Sequence, residues 1–217
     1  MVTVVEFAEP LIPTTLPRWR YYHFAAMMQP AFKFYCIGLI VAGLEEFITQ
    51  GVLRNNLGGW IIPTVIAFLP FLIIVRVLSK FLDSRFSEQK AALIYYLISG
   101  GIGLAVEWFL IGLSPWSNPS AHPLAMFVLQ VGMFSFWSGV AFAPRLLLDQ
   151  RDFASSARKG FKHFLIAGMV VIYVVTFATP RKFQFPAGIA SVLIIFIALN
   201  FYYLQYFRAL TRHSSAV

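Results

Sequence analysis

The chain has 217 residues, of which 59% are hydrophobic and only 12% are charged, and its mean hydropathy is +0.74. A soluble domain carries about 25% charged residues, so this composition excludes an ordinary soluble domain and indicates that much of the surface meets lipid. The net charge of +8 comes from basic residues in short loops between apolar runs, which argues against a nucleic-acid partner and indicates loops held at a cytoplasmic membrane surface.

The first 31 residues are predicted to form an N-terminal arm. Glu6, Glu9 and several prolines interrupt it, so it lacks the basic start and unbroken hydrophobic core of a cleavable signal peptide. Residues 17–28 combine aromatic rings with Arg18 and Arg20. This composition is typical of a short helix that lies in the membrane interface.

Six apolar segments follow the arm, and each approaches the roughly 20 residues that cross a hydrocarbon core of about 30 Å. They are residues 32–53, 60–78, 91–113, 123–143, 164–179 and 185–206. The fifth is the shortest, so we expect it to be thinly inserted or extended by snorkelling of Lys162 and His163. Residues 145–162 are predicted to be a solvated connection with one amphipathic turn, and residues 207–217 a cytoplasmic tail. The predicted fold class is an all-α, polytopic membrane helix bundle of about six transmembrane helices within residues 32–206.

The basic residues predict the orientation of this bundle. With the N-terminus in the cytoplasm, only Arg54, Arg181 and Lys182 fall in outer loops, and every other Lys and Arg falls on the inner side. Cytoplasmic loops carry the excess of Lys and Arg in membrane proteins. Six spans with both termini in the cytoplasm are therefore predicted, in a multi-pass protein of the inner cell membrane.

Three acidic residues, Glu45, Glu46 and Glu107, fall inside predicted spans. A charged carboxylate at the bilayer centre costs about 2.5–3.5 kcal/mol even on insertion scales, so their placement requires a reason. With a rise of about 1.5 Å per residue, Glu46 and Glu107 lie at similar heights in the outer half of two parallel helices. We predict that they face one polar cavity; the alternative is that each is a structural hydrogen-bonding group between helices.

Other polar groups at that height extend the predicted ligand-binding set. Gln50 lies one turn beyond Glu46, Trp108 adjoins Glu107, and Gln130 lies in the outer half of the fourth span. Each also has a structural interpretation, since amides join helices and tryptophans anchor at interfaces. No cluster of Cys or His has metal-ligand spacing. The sequence therefore predicts no metal site and identifies no cofactor.

The first and third spans contain a short repeat. Glu46 and Phe47 precede Gly51 in one, and Glu107 and Trp108 precede Gly112 in the other. Such a repeat is typical of the duplicated helix pairs of transporters, although two apolar helices can also share it by chance.

The pair Glu45-Glu46 resembles the opening motif of CAAX-protease-like intramembrane peptidases, in which arginine follows four residues later. Gln50 stands at that position, and no histidine lies at mid-membrane depth to complete such a site. Paired acids on helices are also similar to those of membrane lycopene cyclases, but the proline that precedes them there is absent. The residues therefore assign no family.

Three functions fit these features. The first is a small transporter that binds a proton, a cation or a lipid-like molecule in the acidic pocket. The second is an intramembrane enzyme that uses a carboxylic acid on a lipid or isoprenoid, and the third is an accessory subunit of a larger membrane complex. The predicted partners are membrane lipids and a hydrophobic small molecule or cation, while another membrane protein or a second copy of the chain stays open.

Overall fold

The computed structural model describes residues 18–54, 56, 60–117 and 122–215, and the side chains of 30–54, 56, 60–62, 64–117 and 122–213. Within these residues the chain is helical and contains no β-strand. The α-helices are α1 (Arg18–Glu46), α2 (Ile61–Arg85), α3 (Glu88–Val106), α4 (Pro123–Leu148), α5 (Ser155–Ala178) and α6 (Arg181–Ser215). Two π-helical segments, π1 (Phe47–Val52) and π2 (Glu107–Ile111), directly follow α1 and α3, and a 3₁₀ turn (Asp152–Ala154) precedes α5.

The chain divides into two compact units, Met1–Lys33 and Phe34–Val217. The described part of the first unit is helical, and α1 continues through Pro30 without a break. Residues 1–17 of the predicted arm lie outside the described residues. The second unit contains the helical bundle, and α6 continues through most of the predicted tail as far as Ser215.

Among the described residues, five helical stretches are long and apolar enough to cross a membrane: Thr64–Arg85, Glu88–Ile111, Pro123–Leu148, Asp152–Ala178 and Arg181–His213. Large apolar side chains cover their outer faces, as at Ile66 and Leu110, which are 69% and 80% exposed. Soluble monomers rarely expose such contiguous apolar surface. The chain is therefore a multi-pass integral membrane protein. The helix α1, which carries two adjacent glutamates, is not one of the five, so the sixth span stays a prediction.

The fifth helix has the predicted extension through Lys162 and His163 and continues further towards the N-terminus. It begins at Ser155 and has 24 residues, while α4 continues to Leu148, so the connection is shorter than the predicted 145–162 and comprises residues 149–154. The reason is an apolar stripe at helical spacing that is buried against the bundle. The stripe consists of Ala154, Ala157, Phe161 and Leu165.

The helix at the centre of the bundle is α4. Half of its most apolar stretch is buried inside the protein, compared with about a third or less for the other four spanning helices. It packs against α3 on one side and α6 on the other. Trp137, in the middle of α4, stacks on Phe68 at 4.7 Å and meets Phe71 edge-on at 4.8 Å between ring centroids. These contacts fix the Trp137 indole in one orientation.

Ion pairs join the helix ends that are predicted to face the cytoplasm. Arg145 of α4 contacts Asp83 of α2 at 2.7 Å, and Arg151 contacts Asp149 at 2.6 Å and also pairs with Glu88 of α3. Burial raises the pKa of the Asp149 carboxyl, but hydrogen bonds from Arg151 and from a tyrosine of α6 outweigh it, so this pKa lies below its usual value. Four helices are therefore tied together at this end.

The predicted orientation can be tested with two alkaline phosphatase fusions expressed in bacteria. A fusion after Arg85, which ends α2, is expected to be inactive because that end is predicted to be cytoplasmic. A fusion after Leu113, beyond π2, is expected to be active and serves as the matched control. Activity after Arg85 together with inactivity after Leu113 would reverse the orientation.

Candidate acidic cavity

The three intramembrane glutamates lie where α-helix gives way to π-helix. Glu45 and Glu46 end α1 just before π1, and Glu107 is the first residue of π2. In π1 the Leu53 amide donates to the Ile48 carbonyl at 2.9 Å, a step of five residues. The π-helical turns are rare and often occur at functional sites. The short sequence repeat thus coincides with a repeated backbone feature, while its origin in a duplication stays a prediction.

The second π-segment ends at a glycine for a conformational reason. Gly112 has φ of 83°, in the left-handed region that favours glycine. Its amide donates to the Glu107 carbonyl, and so does the amide of Leu113, at 2.9 Å. Two donors therefore satisfy the Glu107 carbonyl at the point where the chain leaves the helix.

One cavity of about 250 Å³ brings the three carboxylates together. It lies near the ends of α1 and α3 and the beginnings of α4 and α6, at the helix ends opposite the ion pairs. Its polar lining consists of Glu45, Glu46, Glu107, Thr49, Gln50 and Arg54. Its aromatic lining consists of Phe68, Phe136 and Trp137, and aliphatic side chains of α3, α4 and α6 complete the wall.

Two of the carboxylates differ in how their oxygens are satisfied. The buried Glu107, 9% exposed, accepts a hydrogen bond from Trp137 Nε1 to its Oε1 at 2.9 Å. In contrast, Oε2 of Glu46 is buried without a hydrogen-bond partner among the described residues. Glu46 therefore supplies an acceptor that the described protein groups leave free.

The charge of the cavity is negative when its acids are ionised. The described lining contains three carboxylates and one basic residue, Arg54. Arg54 Nη1 donates a hydrogen bond to Gln50 Oε1 at 3.1 Å. Arg54 is exposed, so solvent screens its charge more than a buried cation's. The described lining therefore carries a net negative charge when its acids are ionised.

The sequence-predicted residues divide into two groups. Glu45, Glu46, Glu107 and Gln50 line the cavity; that they bind a ligand stays a prediction. Trp108 and Gln130 are not part of its described lining. They pair with each other instead: Trp108 Nε1 donates to Gln130 Oε1 at 2.6 Å. The Gln130 amide also donates to the Leu113 carbonyl at 3.1 Å. Their position corresponds to the structural alternative, in which an amide joins two helices.

Sequence reasoning missed Trp137, Arg54 and Thr49 on the cavity wall. The sequence contains one signal for Trp137 and one for Arg54. Trp137 lies near the middle of a spanning segment, far from the interfaces where tryptophan anchors, and a buried indole N–H requires an acceptor. Arg54 lies four residues after Gln50, a spacing that places both on one helix face.

A second polar cluster joins α3, α4 and α6 deeper in the bundle. The Tyr96 hydroxyl donates to Asn200 Oδ1, and Asn200 Nδ2 donates to Ser135 Oγ at 2.9 Å. Ser138 Oγ donates to the Tyr96 carbonyl at 3.1 Å. Each of these side chains finds a partner on another helix, so the cluster holds the helices in register.

The described residues contain no group of three or more His, Cys, Asp and Glu that could hold a metal ion. Comparison of the chain with models of known families, with curated proteins and with solved structures finds no match.

Proposed function

We propose that this membrane protein binds a small cation in the acidic cavity and acts as a small transporter that exchanges the cation for protons. The observation that carries the proposal is the convergence of Glu45, Glu46 and Glu107 on one cavity, with an acceptor oxygen of Glu46 left free. Intramembrane acids commonly mark ion pathways and proton relays. Carboxylates close together cannot all ionise easily, so an arriving cation displaces protons from them.

The size and lining of the cavity favour a small organic cation. A volume of about 250 Å³ corresponds to roughly eight water molecules at about 30 Å³ each, which is below the range of about 300–1,000 Å³ for drug-sized ligands. The rings of Phe68, Phe136 and Trp137 line the cavity, and aromatic rings attract ammonium groups. A substituted ammonium ion satisfies the carboxylates and the rings together.

Transport is supported by the arrangement of the helices that carry the acids. The α1–π1 and α3–π2 segments share a glutamate, a following aromatic residue and a π-turn. Repeated helix pairs with irregular backbone near the binding site are a recurring design of secondary transporters. The proposed location, the inner cell membrane with both termini in the cytoplasm, gives such a carrier access to a proton gradient.

The test is cation binding to the purified protein in lipid nanodiscs. Titration calorimetry with tetraethylammonium, in two buffers of different ionisation enthalpy, is expected to show saturable binding with proton release. The Glu46→Gln and Glu107→Gln variants are expected to lose affinity by about 30-fold or more, since loss of one partner of a buried charge pair costs about 2–5 kcal/mol.

The control variant is Asp152→Asn, which removes an exposed acid outside the cavity and is expected to bind like the unmodified protein. Sodium and potassium chlorides define whether the site prefers an organic cation. Proteoliposomes with an internal pH dye then test exchange. Absence of saturable binding, or equal binding by the glutamine variants, would refute the proposal.

A further inference from the structure

An apolar groove of about 640 Å³ runs between the beginnings of α4 and α6. Its lining includes Leu124 and Val128 of α4 and Phe185 and Ile194 of α6. Leu124 and Ile194 are 65% and 60% exposed, so the groove lies on the outer face of the bundle, where these spans meet lipid. Its wall is almost entirely hydrocarbon, apart from His122 at the N-terminal end of α4.

The groove and the acidic cavity share a wall. Leu129 of α4 and Ile189 and Leu193 of α6 line both spaces, and all three are half-buried. Gly132 lets α6 approach here, because a Cβ at that position would lie 2.5 Å from Leu193 Cδ2. Three aliphatic side chains thus separate the carboxylates from a lipid-facing groove, and aliphatic rotamers exchange on a fast timescale.

We infer that the ligand is an amphipathic amine with a single aliphatic chain, which enters from the membrane between α4 and α6. Its ammonium group lies among Glu45, Glu46 and Glu107, and its chain passes Leu129 and Leu193 into the groove. This inference rests on the proposed function and specifies its substrate class. The carboxylates attract the ammonium head, and the apolar lining of the groove accommodates the aliphatic chain.

Two probes separate the contributions of head and chain. Tetraethylammonium has no long chain and so tests the cavity alone, whereas the chain of dodecylamine needs the groove as well. Ala190 lines the groove but not the cavity, so the Ala190→Trp variant fills the groove and leaves the acids untouched. We expect it to lower dodecylamine affinity by about tenfold or more and to leave tetraethylammonium affinity unchanged. Comparing variants with one probe cancels the partitioning of dodecylamine into the nanodisc.

The matched control is Val174→Trp, which adds an indole to the lipid face of α5, at a residue 61% exposed, and is expected to change neither affinity. Ala125→Trp fills the same groove from α4 and replaces Ala190→Trp if that variant fails to bind tetraethylammonium. Photoactivatable dodecylamine is expected to label peptides of α4 and α6 in the unmodified protein.

The outcomes distinguish the two proposals. If tetraethylammonium binds in a glutamate-dependent manner but dodecylamine binding is indifferent to both groove variants, the inference fails and the proposed function stands. Photolabelling spread evenly over α2, α3 and α5 would overturn the inference in the same way. If neither probe binds, both proposals fail.

Discussion

Replacing Gly103 with alanine is expected to destabilise the bundle by about 1–3 kcal/mol, the usual cost of forcing extra volume into a packed core. Gly103 lies on the face of α3 that packs against α4. A Cβ at this position would lie 2.0 Å from Trp137 Cγ and 2.1 Å from Trp137 Cβ. Because Trp137 Cβ is attached directly to the α4 backbone, the two helices must separate to relieve the overlap.

The same replacement at Gly101 supplies the matched control within one turn of α3. A Cβ there would meet nothing within 4 Å, so Gly101→Ala is expected to be neutral or to gain up to about 1 kcal/mol from helix propensity. The measurement is unfolding of purified protein by sodium dodecyl sulfate, followed by far-ultraviolet circular dichroism. Equal stabilities of the two alanine variants would show that α3 and α4 do not pack as closely as described.

The Gly103 variant also connects packing to the site. Trp137 donates to Glu107 at 2.9 Å, so a shift of the indole away from α3 lengthens this hydrogen bond. We therefore expect Gly103→Ala to weaken tetraethylammonium binding as well as stability. Gly101→Ala, which leaves Trp137 in place, is expected to bind normally.

Some of this organisation could be predicted from the sequence because it follows from length and periodicity. The five spanning stretches follow from the thickness of the hydrocarbon core. The similar depths of Glu46 and Glu107, which follow from the fixed rise of a helix, stay a prediction. The shared cavity of these two residues needed only that their helices run parallel and lie close. Those regularities do not depend on which side chains meet.

The remaining features depend on tertiary contacts that periodicity does not specify. Asn200 lies toward the end of the last span, yet it accepts a hydrogen bond from Tyr96, 104 residues away in the chain. Gln130 was predicted at the depth of the cavity, but it accepts a hydrogen bond from Trp108 instead of lining the cavity. At similar depth, the partner across the helix interface decides whether a polar side chain lines a cavity or joins two helices.

The start of α5 at Ser155 lies before the predicted residue 164 for a different reason. The charges at Arg158, Lys159 and Lys162 obscured a buried stripe that has the helical period. A hydropathy average over the stretch mixes both faces of an amphipathic helix, whereas the hydrophobic period separates them. The helical period of the buried residues therefore marks the start of α5 better than the mean hydropathy of the stretch.

The last prediction is that leucine at Glu46 and leucine at Glu107 change stability in opposite directions. Glu46 Oε2 has no protein hydrogen-bond partner among the described residues, so Glu46→Leu removes a polar group from an apolar setting without breaking a protein hydrogen bond of this oxygen, and it is expected to stabilise the bundle slightly. Glu107→Leu leaves the Trp137 N–H without its acceptor and is expected to destabilise the bundle by about 1–3 kcal/mol.

The glutamine variant at position 107 separates charge from hydrogen bonding. Glu107→Gln keeps a carbonyl oxygen for Trp137 Nε1, so its unfolding in sodium dodecyl sulfate is expected to match that of the unmodified protein, while tetraethylammonium binding is lost. A stabilised but inactive Glu46→Leu variant would follow the trade-off expected of a binding residue, in which a group retained for function costs stability. Equal losses of stability in both leucine variants would instead show that each glutamate is a structural hydrogen-bonding group. Removing a carboxylate lowers the stability of the fold only where that carboxylate makes a hydrogen bond.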